Sequence, residues 1–242
     1  MESIIKLKDM EYKKSEYIVL KHIDFTLYKG DFLCIIGKTG SGKSSFGEML
    51  SNSDIYQNKD LNIKYAYKKS LEYYDTLYEY FGVQKNNKEV LELAKNLELS
   101  EYLDYKPSSL SYGYQSLICL MEALLVNPDV LIIDSLLDGL SMPLHDKVLK
   151  FLKSLNYKKN ITIIYITENI SDALLFRKIA IISDGTIVYN GTLKKSFIDL
   201  NIWKKAGLEL PFEIELSKKL EYYGLVDGPI FSVDKLVDKL WK

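Results

Sequence analysis

Short apolar runs alternate with helical patterns along most of the chain. The near-continuous runs at residues 32–36, 130–133, 161–166 and 179–182 are typical of parallel strands that are buried on both faces. Residues 5–7 and 23–27 alternate apolar and charged or polar positions, which predicts edge or half-buried strands. Helical patterns lie between the runs, at 115–126 and 143–155. The alternation of buried strands with helices predicts an α/β fold with a mostly parallel, helix-covered sheet.

The chain changes character near Asn201. Beyond Pro211, one predicted helical face carries Phe212, Leu216, Leu220 and Tyr223. Ser232 is predicted to cap a last helix with Val233, Leu236, Val237 and Leu240 on one side. Such short amphipathic helices cannot bury their apolar faces alone, so they pack either on the preceding domain or on a partner. The predicted domains are therefore 1–200 and 201–242.

A glycine-rich turn follows the buried run at 32–36. Residues 37–44, Gly-Lys-Thr-Gly-Ser-Gly-Lys-Ser, fit the phosphate-binding pattern G-x-x-x-x-G-K-[ST]. Glycines allow backbone N–H groups to turn toward phosphate oxygens, and the helix that follows offers its positive N-terminal end. In this pattern Lys43 reaches the β- and γ-phosphates and Ser44 holds magnesium. The predicted nucleotide-binding residues of this loop are Gly37, Lys38, Thr39, Gly40, Ser41, Gly42, Lys43, Ser44 and Ser45.

A strand-terminal aspartate supplies the second half of such a site. Asp134 ends the buried run that begins at Val130. In P-loop proteins this carboxylate holds the magnesium ion. We therefore predict a Mg–ATP site with Ser44 and Asp134 as metal ligands.

The remaining composition narrows the function classes. The 32 basic and 33 acidic residues give a formal net charge of −1, and Arg177 is the only arginine, which argues against sequence-reading nucleic-acid binding. Cys34 and Cys119 lie in apolar segments without metal-ligand spacing, as buried cysteines of a reducing cytosol do. The longest apolar stretch, 117–126, contains Glu122 and is about half a membrane span. We expect any membrane association to come through a partner.

The segment before the Asp134 strand indicates which kind of P-loop protein this is. Leu110-Ser-Tyr-Gly-Tyr-Gln115 precedes a predicted helix and resembles the ABC transporter signature, usually L-S-G-G-Q. The resemblance implies that Ser111, Gly113 and Gln115 contribute to a nucleotide site on another subunit. It also implies that Tyr12 stacks on adenine. The sequence 184–191, Asp-Gly-Thr-Ile-Val-Tyr-Asn-Gly, looks like the hairpin that closes ABC ATPase domains.

The tail refines the resemblance. Residues 206–212 and 232–241 are similar to the C-terminal domain of energy-coupling-factor (ECF) vitamin and metal importers, and most like the first of their two paired ATPases. This similarity implies ATP and Mg²⁺ as cofactors and attachment to the cytoplasmic face of the membrane. It also implies three partners: a second ABC ATPase, a transmembrane coupling subunit and a substrate-binding membrane subunit. The antiparallel and helical subdomains are expected to be shortened.

Several positions depart from the family pattern where the chemistry occurs. Ser135 stands where the catalytic glutamate follows the magnesium aspartate, and Glu168 stands at the switch-histidine position after Thr167. The D-loop aspartate is Ser141, the Q-loop glutamine is Lys68, and Tyr112 and Tyr114 replace signature residues. Neither His22 nor His145 is placed to substitute; both are expected to be surface or packing residues.

These departures predict a subunit that binds Mg–ATP but hydrolyses it poorly. Hydrolysis needs a group that orients or deprotonates water, and a serine is far too weak a base. Two alternatives stay open. The first is an active ABC ATPase of another family in which Glu168 or another group restores catalysis; the second is an ATP-sensing regulator without a transporter. A homodimer acting on nucleic acid is disfavoured because basic patches and coiled-coil insertions are missing from the sequence.

Overall fold

The computed structural model describes residues 2–52, 55, 60–71 and 73–241. The strands are β1 (Ser3–Lys14), β2 (Tyr17–Tyr28), β3 (Phe32–Ile36), β4 (Ile63–Ala66), β5 (Val130–Asp134), β6 (Thr162–Ile166), β7 (Lys178–Ser183) and β8 (Thr186–Thr192). The helices are α1 (Lys43–Ser51), α2 (Leu77–Phe81), α3 (Lys88–Asn96), α4 (Tyr112–Leu125), α5 (Met142–Lys159), α6 (Ile170–Ala173), α7 (Leu193–Ser196), α8 (Asn201–Lys205), α9 (Phe212–Tyr222) and α10 (Val233–Leu240). Short 3₁₀ turns occur at Ser100–Tyr102 and Pro107–Ser109.

The chain divides into two compact units. The first comprises Met1–Phe32 and Ser44–Ile166, and the second comprises Leu33–Lys43 and Thr167–Lys242. The second unit groups the predicted C-terminal domain, 201–242, with the segment before it. The boundary at residue 200 stays a prediction.

The first unit begins with a long antiparallel hairpin of β1 and β2. Its inner portion pairs Leu7 with Phe25, and its outer portion continues to a pair of Lys14 with Tyr17. The outer portion is rich in exposed charged residues, and the alternation of apolar and polar residues that predicts a strand is therefore confined to 5–7 and 23–27. Register shifts interrupt the hairpin near Met10, as expected for bulges that twist a two-stranded ribbon.

Three parallel strands form the centre of the first unit. β4 pairs with β5, and β5 pairs with β6, both in parallel. Every residue of β5 and β6 is buried, as the continuous apolar runs predict. The predicted helices at 115–126 and 143–155 are α4 and α5, each somewhat longer than predicted. His145 is buried on α5, and His22 is exposed on β2.

The second unit contains the remaining strands. β3 pairs in parallel with β7, and β7 pairs antiparallel with β8. Asp184 and Gly185 connect β7 to β8 with φ angles of 48° and 73°, the left-handed geometry that favours Asp-Gly in two-residue hairpins. The hairpin predicted from 184–191 is thus present. The parallel pairs in both units confirm the predicted α/β class with a mostly parallel sheet.

The tail packs partly on its own unit. Trp203 is buried, stacks on Phe197 with ring centroids 4.9 Å apart, and donates from Nε1 to the carbonyl of Ser196 at 3.1 Å. Ser217 donates to the carbonyl of Gly228 at 3.1 Å and accepts from the N–H of Ile230 at 2.8 Å, which ties α9 to the loop that precedes α10.

The predicted faces of the tail helices are covered only in part. The buried side chains of α9 are Ile214 and Ser217, whereas Phe212 and Tyr223 of the predicted face are exposed, so packing of that face on a partner stays a prediction. Ser232 stands at the N-cap of α10, but its side chain caps no N–H within the described chain. On α10, Leu236 is buried within the chain, whereas Val233, Val237 and Leu240 of the predicted face are exposed.

Candidate functional site

The phosphate-binding loop connects β3 to α1 in a conformation that only glycine permits. Gly40 and Gly42 have φ angles of 78° and 105°, where a side chain would be strained. A Cβ atom at Gly37 would clash with the carbonyl of Ile182 and lie 2.6 Å from Ser41 Oγ. The predicted glycines are therefore required by backbone conformation and close packing. Ser41 is buried, and its hydroxyl oxygen has no hydrogen-bond partner among the described residues.

Lys43 is held inside this loop. Its side chain is 5% exposed, and its ammonium donates to the carbonyl oxygens of Gly37 and Lys38, both at 2.8 Å. A third bond, 3.2 Å long, reaches Oε1 of Glu168. The loop thus places a buried cation where the pattern predicts a phosphate-binding lysine.

Glu168 joins the loop from the segment after β6. The hydroxyl of Thr39 donates to Glu168 Oε2 at 2.9 Å, and the N–H of Thr167 donates to the carbonyl of Ile35 at 3.1 Å. The bond from Thr39, together with the ion pair to Lys43, holds the pKa of Glu168 below its ordinary value. Glu168 is therefore an ionised carboxylate bound to the phosphate-binding loop.

The predicted magnesium carboxylate lies in the first unit. Asp134 is buried at the end of β5, and its Oδ2 accepts a 2.5 Å hydrogen bond from the hydroxyl of Tyr65 on β4. Its Oδ1 accepts from the hydroxyl of Ser135 at 3.3 Å. The hydroxyl oxygen of Tyr65 also lies 3.3 Å from the carbonyl oxygen of Ser44, and burial with the bond to Asp134 raises the pKa of Tyr65 well above its usual range.

A cavity of about 780 Å³ opens beside this carboxylate. Its lining includes Ser44, Glu48, Ser51, Tyr65, Tyr67, Lys68, Asp134 and Ser135. Ser44 and Asp134 thus face the same space, and hydroxyl and carboxylate oxygens are the ligands that Mg²⁺ prefers. The residues present fit a magnesium ion, and the cavity has room for part of a nucleotide.

Ser135 takes an unusual backbone conformation. Its φ angle is 52°, which is uncommon for a residue other than glycine, and its N–H donates to the carbonyl of Ile166 at 3.0 Å. The backbone therefore aims the side chain at the cavity, as a catalytic position requires. The group it aims is a hydroxyl that already donates to Asp134.

The signature segment forms the start of α4. Ser111 is exposed and stands at the N-cap position, and no described N–H is capped by its side chain. Gly113 is buried against the next loop, because a Cβ there would lie 2.8 Å from the carbonyl of Gly139. Gln115 turns back and donates to the carbonyls of Ser108 and Leu110 at 3.2 and 2.8 Å. Ser111 is therefore the signature side chain best placed for another subunit.

Lys68, at the Q-loop position, contacts the signature. Its ammonium donates to the carbonyl of Tyr112 and to Oε1 of Gln115, both at 3.1 Å, and lies 4.2 Å from the centroid of the Tyr112 ring. Partial burial lowers the pKa of Lys68. The Tyr112 ring in turn lies on Gly139, two residues before Ser141 at the start of α5. Two departures from the family pattern, Lys68 and Tyr112, thus contact each other.

The predicted adenine-stacking residue lies on β1. Tyr12 is half-buried, and its hydroxyl lies 3.5 Å from Oε2 of Glu48, which also pairs with Lys14 at 2.6 Å. This arrangement brings Tyr12 near α1 in the first unit. Its stacking on a base stays a prediction.

Comparison with known proteins gives a match to one protein family. The family model for ABC transporters matches residues 20–137. Over this stretch the chain is similar to ABC transporters. The match covers the phosphate-binding loop, the signature and the Asp134 strand.

Curated relatives extend the similarity beyond this domain. The energy-coupling factor transporter ATP-binding protein EcfA1 of Mesomycoplasma hyopneumoniae (strain 7448) is 26% identical, over 99% of this chain and 98% of that protein. The protein of the same name from Staphylococcus aureus (strain USA300) is 26% identical, over 93% of this chain and 97% of its own length. The ABC ATPase domain and its tail thus resemble ECF ATP-binding proteins over nearly the whole length.

Solved structures confirm the fold. A dimeric ATP-binding cassette in a post-hydrolysis state with ADP and phosphate aligns with a TM-score of 0.68 and 24% identity, covering 78% of this chain and 99% of the cassette. A nucleotide-free cassette from an ABC transporter aligns with a TM-score of 0.71 and 18% identity, covering 86% of this chain and 100% of the cassette. None of the described helices combines the length and the hydrophobicity that a membrane span requires.

Two contacts in the site were not predicted. The contact between Tyr65 and Asp134 follows from the parallel pairing of β4 with β5, which the sequence alone does not give. The hydrogen bond between Thr39 and Glu168 joins positions 129 residues apart, and no sequence pattern predicts it.

Proposed function

We propose that this chain is the ATP-binding subunit of an ECF-type importer for vitamins or other micronutrients, and that it retains Mg–ATP at its own loop without hydrolysing it. The observation that carries the proposal lies in the first unit. Ser44 and Asp134 line one cavity with oxygen atoms suited to magnesium, while Ser135 donates its hydroxyl to Asp134 where the family pattern has its base.

The residues supply binding without water activation. Ser44 and Asp134 would hold magnesium, which neutralises phosphate charge when it is bound. Lys43 and the loop N–H groups would bind phosphate oxygens. Glu168 is a poor proton acceptor because Thr39 and Lys43 hold its pKa low.

The signature would serve a second subunit. Ser111 is exposed at the N-terminus of α4, which has 14 residues, so its hydroxyl and the helix dipole are available to a phosphate bound elsewhere. We propose a heterodimer with a second ABC ATPase. Both would attach to a transmembrane coupling subunit at the cytoplasmic face of the membrane, beside a separate substrate-binding membrane subunit.

An active ATPase is the second candidate, because Glu168 lies beside Lys43 and could orient water. The two candidates are separated by titrating the full-length chain with a fluorescent ATP analogue and Mg²⁺ and then measuring phosphate release. We expect binding without turnover above background. Robust hydrolysis that is abolished by Glu168→Gln would establish the active enzyme instead.

Loop variants test where the nucleotide binds. Lys43→Ala should abolish binding, and Tyr12→Ala should weaken it, since aromatic stacking contributes about 1 kcal/mol. Lys153→Ala, at an exposed position of α5, is the matched control and should bind normally. The remaining alternative is an ATP-sensing regulator without a transporter. Such a regulator would show the same ATP binding but would not co-purify with membrane subunits.

A further inference from the structure

The ammonium group of Lys43 has an acceptor for each of its three hydrogens. Two acceptors are backbone carbonyls of the loop itself, at Gly37 and Lys38. The third is the carboxylate of Glu168. A lysine ammonium offers three donors and no more, so a phosphate oxygen can bind Lys43 only by displacing one of these acceptors.

Glu168 is the acceptor that differs in kind from the others. It is the charged one of the three, and it comes from a segment distant in sequence from the loop. Thr39, itself a loop residue, donates to the other carboxylate oxygen at 2.9 Å. The carboxylate is therefore bound at two points on the loop, through Lys43 and Thr39. Both of its oxygens are occupied in the same way that phosphate oxygens would be.

We infer that Glu168 is a specificity-determining residue of this nucleotide site: its carboxylate takes, on Lys43, the place of a terminal phosphate and so lowers the affinity for ATP relative to ADP. This inference rests on the proposed function, namely that the loop of this chain binds nucleotide. The position is where the resemblance to ABC ATPases implies a histidine, which would not repel a phosphate.

The discrimination follows from charge. ATP brings one more phosphoryl group than ADP, and that group carries additional negative charge toward Lys43. The carboxylate must leave the lysine or remain beside a like charge, and both cost affinity. ADP lacks the added group, so the carboxylate interferes with it less.

Replacing Glu168 with glutamine provides the direct test. Glutamine has nearly the same shape and can still accept from Thr39, but it carries no charge. With the full-length chain and Mg²⁺, we expect Glu168→Gln to bind ATP roughly tenfold more tightly than the native chain, because a like-charge contact has been removed. ADP binding should change by less than about threefold. Glu215→Gln, which removes a surface carboxylate from an ion pair with Lys219, is the control and should change neither affinity.

Salt separates a charge effect from a packing effect. The gain in ATP affinity should shrink when ionic strength rises from about 0.05 M to about 0.5 M, since the Debye length falls over that range. A packing change would give a gain that is independent of salt and similar for ATP and ADP.

The possible outcomes distinguish the inference from the proposed function. If the native chain binds ATP and Glu168→Gln binds it no more tightly, or tightens ATP and ADP equally, the inference is wrong while the proposed binding stands. If Glu168→Gln binds ATP and the native chain does not, the inference holds and the proposed retention of ATP is wrong. If neither protein binds nucleotide, both are wrong.

Discussion

Asp134 illustrates how a single carboxylate can be satisfied before any metal arrives. Its two oxygens each accept a hydroxyl, one from Tyr65 at 2.5 Å and one from Ser135 at 3.3 Å. A hydrogen bond to a charged group contributes about 1.5–3 kcal/mol, so these hydroxyls compete with a cation for the same lone pairs. The short bond from Tyr65 is the stronger competitor of the two.

Removing the Tyr65 hydroxyl should make magnesium bind more easily. In Tyr65→Phe we expect the Mg²⁺ concentration for half-maximal ATP binding to fall several-fold, because one carboxylate oxygen loses its neutral partner. The measurement is a Mg²⁺ titration at fixed ATP concentration. Tyr67→Phe is the matched control, since Tyr67 lines the same cavity and stacks on Tyr65 with ring centroids 5.1 Å apart. A higher magnesium requirement in Tyr65→Phe would show instead that the phenol supports metal binding.

At the scale of elements, the sequence predicts best where burial is complete. β5 and β6 are buried along their whole length. Because the hydrophobic effect favours apolar side chains at buried positions, such strands are recognisable in the sequence as runs of Ile, Val and Leu. The glycines of the phosphate-binding loop are also recognisable in the sequence, because few residue types other than glycine adopt the positive φ angles found at Gly40 and Gly42. Backbone geometry and burial are both local requirements on residue type.

Elements that are only half covered were predicted less well. The outer part of the β1–β2 hairpin is exposed, so its side chains carry no alternation to recognise. On α9 the choice between a stripe through Phe212 and one through Ile214 depends on the orientation of the helix against its own unit. Glu168 and Tyr65 contact residues that are distant in the sequence. The pattern of a single sequence does not show which distant side chain will form a hydrogen bond or ion pair with a given charged group.

The exposed face of the tail defines a testable interface. Phe212 is 65% exposed and Val233 is 43% exposed, whereas Leu236 is buried within the chain. We therefore expect Phe212→Ser with Val233→Ser to preserve stability and to weaken pairing with the second ATPase. Leu236→Ala should instead destabilise the chain by roughly 2–5 kcal/mol, as cavity-forming substitutions do. Denaturant unfolding and co-purification measure the two effects.

Deleting residues 201–242 tests the same interface more coarsely. The deletion also removes Trp203, which covers Phe197, so some loss of stability is expected along with impaired pairing. Unchanged pairing after the double serine substitution and after the deletion would contradict an interface role. The tail would then serve only to cover its own unit, which is the other arrangement that its amphipathic pattern allows.

At the scale of the whole molecule, the chain offers two separate contributions to an assembly. One is the proposed phosphate-binding loop, with Ser135 and Glu168 at the positions where the family pattern has its glutamate and histidine. The other is Ser111, which is exposed at the start of α4 and whose side chain caps no described N–H of that helix. ABC nucleotide sites are composite, so the second contribution can support hydrolysis on the loop of a partner even when the first cannot.

The assembled complex should therefore have one working site. Ser111→Arg should abolish most of the ATPase activity and transport of the complex, because the bulky side chain blocks the helix start that would stabilise charge on the partner's phosphate. Ser135→Ala should have little effect, because the proposed function gives Ser135 no part in water activation and its hydroxyl only donates a hydrogen bond to Asp134. Phosphate release and substrate uptake by the reconstituted complex measure both variants. Tyr112 is 61% exposed beside Ser111 and narrows the same approach, so Tyr112→Gly should leave activity equal or higher. A complex silenced by Ser135→Ala, or fully active with Ser111→Arg, would show that this chain's own loop carries the hydrolysis.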